Sequence, residues 1–289
     1  MISDRMPSRT RNVDHTDDAL FAIDVGGSRI KSSIVQAGTI RRLSIQEAVS
    51  GDAYHHLHQI RDLWERQGEG LPIGICWPGK LNSGCEPAEL REAAGSALPI
   101  AVLTDDMIAA AHGEAEGRDI ALLQIGTGVG AAMVRDGKAH KCIAGHIVFR
   151  EQGLPDPSGM HGAVDAYLGW RSICRRLRDA GLPQPTGPAE LLTLAERDPM
   201  AAEALEDALA AAGFVAAYLM ACSGSERLVL AGGVAAAWGE TLKTNIEETL
   251  SWRLWPDLAA RIKVELSPTR EQAPLKGLWR MYQEQIAGK

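Results

Sequence analysis

The sequence has no excess of basic residues: 30 Lys and Arg stand against 37 Asp and Glu, for a net charge of -7. A chain this acidic has no global field for nucleic acid, so no nucleic-acid partner is expected, although a local patch stays open. It has no uninterrupted apolar run near the roughly 18 residues of a membrane span, so no membrane partner is expected. The opening MISDRMPSRTRNVDHTDD is charged and lacks the apolar stretch of a secretory signal. No CxxC pair occurs. The five cysteines, Cys76, Cys85, Cys142, Cys174 and Cys222, are scattered and odd in number, which argues against a disulfide framework. Reduced, mostly buried thiols and a cytoplasmic location are the expectation. Aromatic residues make up a low 5%, but 45% hydrophobic and 23% charged residues are ordinary for a soluble globular protein. None of the single-stretch phosphate patterns is present. There is no GxxxxGK[ST], and no GxGxxG opens a helix, so P-loop and Rossmann readings are weak.

What is present is length and glycine. The 289 residues suffice for one large domain or two medium ones, and 30 of them are Gly. Residues 1–18 are polar, without periodicity, and read as a disordered lead. Order is expected from Ala19-Leu20-Phe21-Ala22-Ile23, a buried strand, which turns at Gly26-Gly27 into a second strand, Ile30 to Val35. Helical spacing follows around Tyr54 to Trp64. Leu71 to Trp77 reads as a strand ending at Pro78-Gly79, and Ile100 to Leu103 as a strand entering the helix Met107 to Glu116. The pattern then restarts: strand Asp119 to Ile125, glycine turn Gly126 to Gly130, strand Ala131 to Val134. Asp24-Val25-Gly26-Gly27-Ser28 aligns with Gln124-Ile125-Gly126-Thr127-Gly128. Spacing alone leaves open two related α/β units or two unrelated hairpins. Val164 to Ala180, Pro188 to Ser223, Ala235 to Trp252 and Ala273 to Ile286 read as helices, with strands at Arg227 to Leu230 and Ile262 to Leu266. Helices alternating with short strands indicate an α/β fold.

Three glycine clusters follow apolar strands: Gly26-Gly27, Gly126 to Gly130, and Gly232-Gly233. Glycine lets backbone N–H groups approach a ligand, and successive N–H groups in a turn form an anion nest. One such cluster is most simply a tight turn; three after strands point to phosphate.

At these residues the chain resembles the ROK sugar kinases of the actin/hexokinase/Hsp70 superfamily. Phe21-Ala22-Ile23-Asp24-Val25-Gly26-Gly27-Ser28-Arg29-Ile30-Lys31 is similar to the family's first phosphate motif, DxGGTxIK. Gly74-Ile75-Cys76-Trp77-Pro78-Gly79 resembles its G-[IV]-x-x-PG strand end, and Asp105-Asp106-Met107-Ile108-Ala109-Ala110-Ala111-His112-Gly113-Glu114 its NDANAAAxGE segment. Ile125 to Gly130 is similar to the second phosphate motif, Ala144-Gly145-His146 to the end of GE[IL]GH, and Gly162 to Tyr167 to GCLEAY. Leu230-Ala231-Gly232-Gly233-Val234 is similar to the adenosine motif. The seven pieces stand in the family's order over roughly residues 19 to 289.

The resemblance implies two ribonuclease-H-like lobes with a cleft between them. The small lobe would span 19–117 and be rejoined by the C-terminal helix 273–289, and the large lobe would span 118–272. It implies ATP-dependent phosphorylation of a hexose or amino-hexose hydroxyl, with Mg2+ held by Asp24 directly or through water. Gly26, Gly27, Ser28, Lys31, Gly126, Thr127, Gly128, Gly232 and Gly233 would bind the nucleotide. Asp106 would be the base; its position also suits a helix cap, and one of the two aspartates can cap while the other reacts. Asp105, Asp106, His146 and Asp165 would meet the sugar. A homodimer and lobe closure on substrate are implied as well.

Departures from the pattern bear on the acceptor. Where many family members carry a CxCGxxGC zinc cluster, Gly153 to Gly162 holds no cysteine, so no structural zinc is expected there. His161 reads as a loop residue. Ile143 replaces the glutamate three before the family histidine, Asp165 replaces a glutamate, and Asn82 is out of pattern as a sugar contact. A kinase using polyphosphate or a non-sugar acceptor, and an inactive sugar or nucleotide sensor, stay open. The roughly 18 residues before the first strand are too few for the helix-turn-helix of the family's repressors.

Overall fold

The computed structural model describes residues 18–26, 29–48, 53–78 and 87–288. The expectation for the first 17 residues, and the assignments to Gly27, Ser28, Gly79 and Asn82, lie outside them.

β1 (Ala19–Val25) is buried along its whole length, the pattern of a strand covered on both faces. It runs antiparallel to β2 (Arg29–Gln36), which also pairs with β3 (Thr39–Ile40) and β4 (Ser44–Glu47). After α1 (Ala53–Gln67), β5 (Ile73–Trp77) lies parallel to β1. After α2 (Pro87–Ala94), β6 (Ile100–Asp105) lies parallel to β5. α3 (Asp106–Ala115) starts at the very end of β6.

The second sheet repeats this plan. β7 (Ile120–Ile125), β8 (Val129–Arg135) and β9 (Lys138–Cys142) form an antiparallel meander. The helices α4 (Val164–Leu168), α5 (Trp170–Asp179), α6 (Pro188–Ala195) and α7 (Pro199–Ser223) follow. β10 (Arg227–Ala231) then joins parallel to β7. Past α8 (Gly233–Arg253) and α9 (Pro256–Ala259), β11 (Lys263–Leu266) joins parallel to β10, and α10 (Ala273–Ala287) ends the described chain. The strand orders are β3-β2-β1-β5-β6 and β9-β8-β7-β10-β11. They match strand for strand in direction, which rules out two unrelated hairpins. The fold is α/β with two ribonuclease-H-like halves.

α3 and α10 lie between the sheets. Ala109 of α3 packs with Leu20, Ala22 and Val102 of the first sheet and with Leu275 and Leu278 of α10. Met107, Ala110 and Ala111 pack with Ile120, Leu122, Ala132 and Val229 of the second. A helix crowded on two sides has room for little beyond alanine, which accounts for its composition. α3 and α10 cross closely: a side chain at Gly277 would run into the Ala109 carbonyl, and one at Gly113 into the Ala273 carbonyl. Glu114, buried near the end of α3, accepts hydrogen bonds from the Ser267 and Thr269 hydroxyls beyond β11.

Some sequence expectations need correction. The helix expected over Val164 to Ala180 breaks at Gly169, which is extended (φ -65°, ψ 127°) and caps α5. The helix expected over Pro188 to Ser223 is two, because Asp198 caps the second through Met200 and Ala201 N–H, with Pro199 at its first turn. α8 is kinked at Gly239 (φ 49°, ψ -122°). Among the four described cysteines only Cys76 is buried; Cys142 and Cys174 are half-buried and Cys222 is exposed. α7 is long and apolar enough to cross a membrane, a point that counting uninterrupted runs misses, but over half of its most apolar stretch is buried in the fold.

Candidate active site

The ends of β1, β6 and β7 and the start of α8 converge where the two sheets face each other. Asp24 pairs in register with Lys31 across the β1–β2 ladder, and Lys31 Nζ stands 3.6 Å from Asp24 Oδ2 and 3.6 Å from Glu271 Oε2. Burial raises the pKa of Asp24, and Lys31 opposes this.

The glycine turns differ from expectation in one respect. Gly26 N–H donates to the Arg29 carbonyl at 2.9 Å, and Gly126 N–H to the Gly128 carbonyl at 2.9 Å. Those two amides close their own turns, whereas the Thr127 and Gly128 amides are not used in closing the second one. That turn is braced from three sides. Trp170 N–H donates to the Gly126 carbonyl at 3.0 Å and Arg171 N–H to the Thr127 carbonyl at 3.1 Å. Val129 N–H donates to Asp165 Oδ1 at 2.7 Å. Gly232, at φ 93°, abuts the Ile125 carbonyl so closely that a side chain would collide with it. Gly233 opens α8 immediately after. The second and third glycine clusters are thus one surface.

Asp105 and Asp106 sit at the junction of β6 and α3. Met107 N–H is shared between Asp105 Oδ1 and Asp106 Oδ1, at 2.9 Å each, and Asp105 has the extended backbone of an N-cap. Asp105 Oδ2 is 2.6 Å from Lys141 Nζ on β9. Both oxygens of Asp105 are therefore engaged, one in capping α3 and one in the ion pair with Lys141. Asp106 is pushed up to about 7 by burial first, then by Asp105 and Asp24, with Lys141 opposing. A carboxylate poised near neutrality can take a proton from an attacking hydroxyl.

His146 ends a short 3-10 turn, Ala144–His146, after β9. Its Nδ1 is 3.2 Å from Oδ2 of the buried Asp156. Asp165, near His146, Arg171 and Asp156, has its pKa raised by burial, opposed by Val129 N–H and then by His146 and Arg171. Ile143 is exposed. His161 Nδ1 bonds the Gly153 carbonyl at 3.0 Å and is part of the loop. Among the described residues, no group of three or more His, Cys, Asp and Glu side chains is arranged to hold a metal ion.

The structure thus brings Asp24, Lys31, Asp105 and Asp106 together at one sheet end. It brings Gly126, Thr127, Gly128, Asp165, His146, Gly232 and Gly233 together at the other. Sequence reasoning missed Lys141, Glu271, Arg171 and Asp156. Only Asp156 carries a local signal: Asp156-Pro157-Ser158-Gly159 spells an Asx turn.

The chain is 26% identical over 254 residues to N-acetylmannosamine kinase of Vibrio cholerae serotype O1, covering 78% of this chain and 87% of that one. A ROK family glucokinase from Streptomyces griseus, solved with glucose and AMPPNP, superposes with a TM-score of 0.74 at 20% identity, covering 92% of this chain and 99% of that one. A ROK family transcriptional regulator, a homologue of the E. coli MLC protein, superposes with a TM-score of 0.74 at 18% identity, covering 91% of this chain and 78% of that one. The model of the ROK family matches residues 20–285. On that match this chain belongs to the ROK family.

Proposed function

We propose that the protein is an ATP-dependent sugar kinase, transferring the γ-phosphoryl group to a hydroxyl of a hexose or amino-hexose with Asp106 as general base. The observation that carries this reading is Asp106 itself. It is a half-buried carboxylate at the mouth between the two sheet ends, and burial, Asp105 and Asp24 raise its pKa to about 7. Phosphoryl transfer asks chiefly for positioning and charge neutralisation, so one well-placed base and several backbone donors suffice.

Around it the roles follow from position. The Thr127 and Gly128 amides and the Thr127 hydroxyl would hold phosphate oxygens, with Gly27 and Ser28 as further candidates. Lys31 would supply positive charge, and Gly232 and Gly233 would let adenosine lie against backbone. His146 and the oxygen of Asp165 not bonded to Val129 would hydrogen-bond the sugar. Asp24 suits Mg2+: it is a hard oxygen donor whose charge burial disfavours, with one lysine opposing that at 3.6 Å. Such a site, completed by water and phosphate oxygens, is the usual one for this ion. Bound there, Mg2+ would neutralise charge on the transferring phosphate. The residue division 19–117 with 273–289 against 118–272, closure of these lobes on substrate, a homodimer and a cytoplasmic location belong to the same proposal.

The test is turnover of MgATP against a hexose and amino-hexose panel. ADP should form with at least one sugar. Asp106→Asn should abolish turnover while nucleotide still binds; ADP release at an undiminished rate in that variant would remove Asp106 as the base. Polyphosphate and non-sugar acceptors are separated by screening donors and acceptors in the same assay. The likeness to a transcriptional regulator favours one other reading, a sugar sensor, for which calorimetry would show sugar binding without turnover.

A further inference from the structure

The loop between Phe149 and Ala163 is organised around one carboxylate. Asp156 Oδ1 accepts from Ser158 N–H at 2.8 Å, Ser158 Oγ at 2.7 Å and Met160 N–H at 2.9 Å. Its other oxygen, Oδ2, faces His146 Nδ1 at 3.2 Å. The Asp156 side chain is 0% exposed, while that of His146 is 38% exposed. A buried acid is thus attached to a ring that a ligand can reach.

We propose that Asp156 is a positioning residue for the acceptor sugar, fixing the tautomer and aim of His146 so that Nε2 is the ring nitrogen offered to a sugar hydroxyl. The inference rests on the kinase reading above. Burial pushes the carboxyl of Asp156 up. The Ser158 hydroxyl, the Met160 and Ser158 amides and His146 together more than reverse this, so the group is held below the ordinary carboxylate range. An ionised carboxylate only accepts hydrogen bonds, so Nδ1 must carry the proton. In a neutral imidazole that leaves a lone pair on Nε2, which accepts from a hydroxyl. Because three donors hold Oδ1, the Oδ2–Nδ1 contact cannot swing freely, and the ring is fixed in direction as well as in tautomer.

Asp156→Asn separates this role from simple loop anchoring. Its carbonyl can still accept from Ser158 and Met160, but its amide donates to Nδ1 and forces the proton onto Nε2. Nitrogen NMR should show His146 protonated on Nδ1 in the parent protein and on Nε2 in the variant. The KM for the phosphorylated sugar should rise roughly tenfold, the scale of one lost hydrogen bond, with the KM for ATP unchanged. Thermal unfolding identifies a variant that has not folded; the His146→Ala background supplies the second comparison. There, Asp156→Asn should add nothing to the sugar KM, since its effect passes through the ring. An active parent with an unchanged sugar KM in Asp156→Asn, or an equal rise in the His146→Ala background, overturns the inference alone. A parent that phosphorylates no sugar overturns the kinase reading and this acceptor role with it.

Discussion

Lys141 Nζ on β9 and Asp105 Oδ2 at the end of β6 meet at 2.6 Å, and in doing so they join the two sheets beside Asp106. Asp105 is at once the cap of α3 and the anchor for a cation from the opposite half. The pair therefore sets both the position and the charge environment of the next residue.

Lys141→Met tests the electrostatic part. The ammonium favours the ionised form of Asp106, so its loss should raise a pKa already near 7. In a pH–rate profile, the acidic limb of kcat/KM should move to higher pH. A limb that stays in place would show that Lys141 does not act on the base.

Asp106→Asn has a consequence for stability as well as turnover. The folded protein holds a proton on Asp106 up to about 7, whereas the unfolded chain releases it near the ordinary value of 3.8. Its contribution to stability is fully present below the unfolded value and is lost as pH rises through the folded one. The asparagine variant lacks that loss. Its Tm should exceed that of the parent at about pH 8, and the difference should shrink toward about pH 4. A difference independent of pH would contradict the assignment.

Gly232→Ala should cost roughly 1–3 kcal/mol of stability, the usual scale for a side chain forced into strained backbone. The position has φ 93° and no room against the Ile125 carbonyl. Because Gly232 also forms the proposed adenosine surface, nucleotide affinity should fall more than sugar affinity. Calorimetric titration with each ligand measures both.

Gly277→Val drives a branched side chain into the Ala109 carbonyl at the crossing of α10 and α3. Overpacking of this kind costs roughly 1–3 kcal/mol or more. Thermal unfolding should show a lower Tm, and activity should fall with it because α3 carries Asp106. Gly277→Ala should show a smaller effect in the same direction.

Much of this fold was legible. Ala19–Val25 reads as a buried strand because it is apolar without interruption, and the Gly26 and Gly126 turns show because glycine follows such strands. Thr39–Ile40 and Ser44–Glu47 did not show, being too short for any period to register. Gly169 hid a helix break, since one glycine within apolar spacing leaves the pattern intact. Thr104-Asp105-Asp106 announced a cap, but only geometry decides that Asp105 is paired with Lys141 while Asp106 is not. Lys141 lies 36 residues from its partner, and no local rule reaches that far. Asp156 could be read as a turn former, but not as the partner of His146.

The packing of α3 against α10 also orders events in time. Asp106 is encoded in the first half of the chain, yet the helix that carries it leans on Ala273, Gly277 and Leu278. A chain emerging from the ribosome presents its N-terminal segments first. The β7–β8 turn, Asp165 and Gly232 are therefore all synthesised before the support for α3 exists. The residues proposed to meet nucleotide and sugar thus precede in the chain the three residues on which the helix of the proposed base leans.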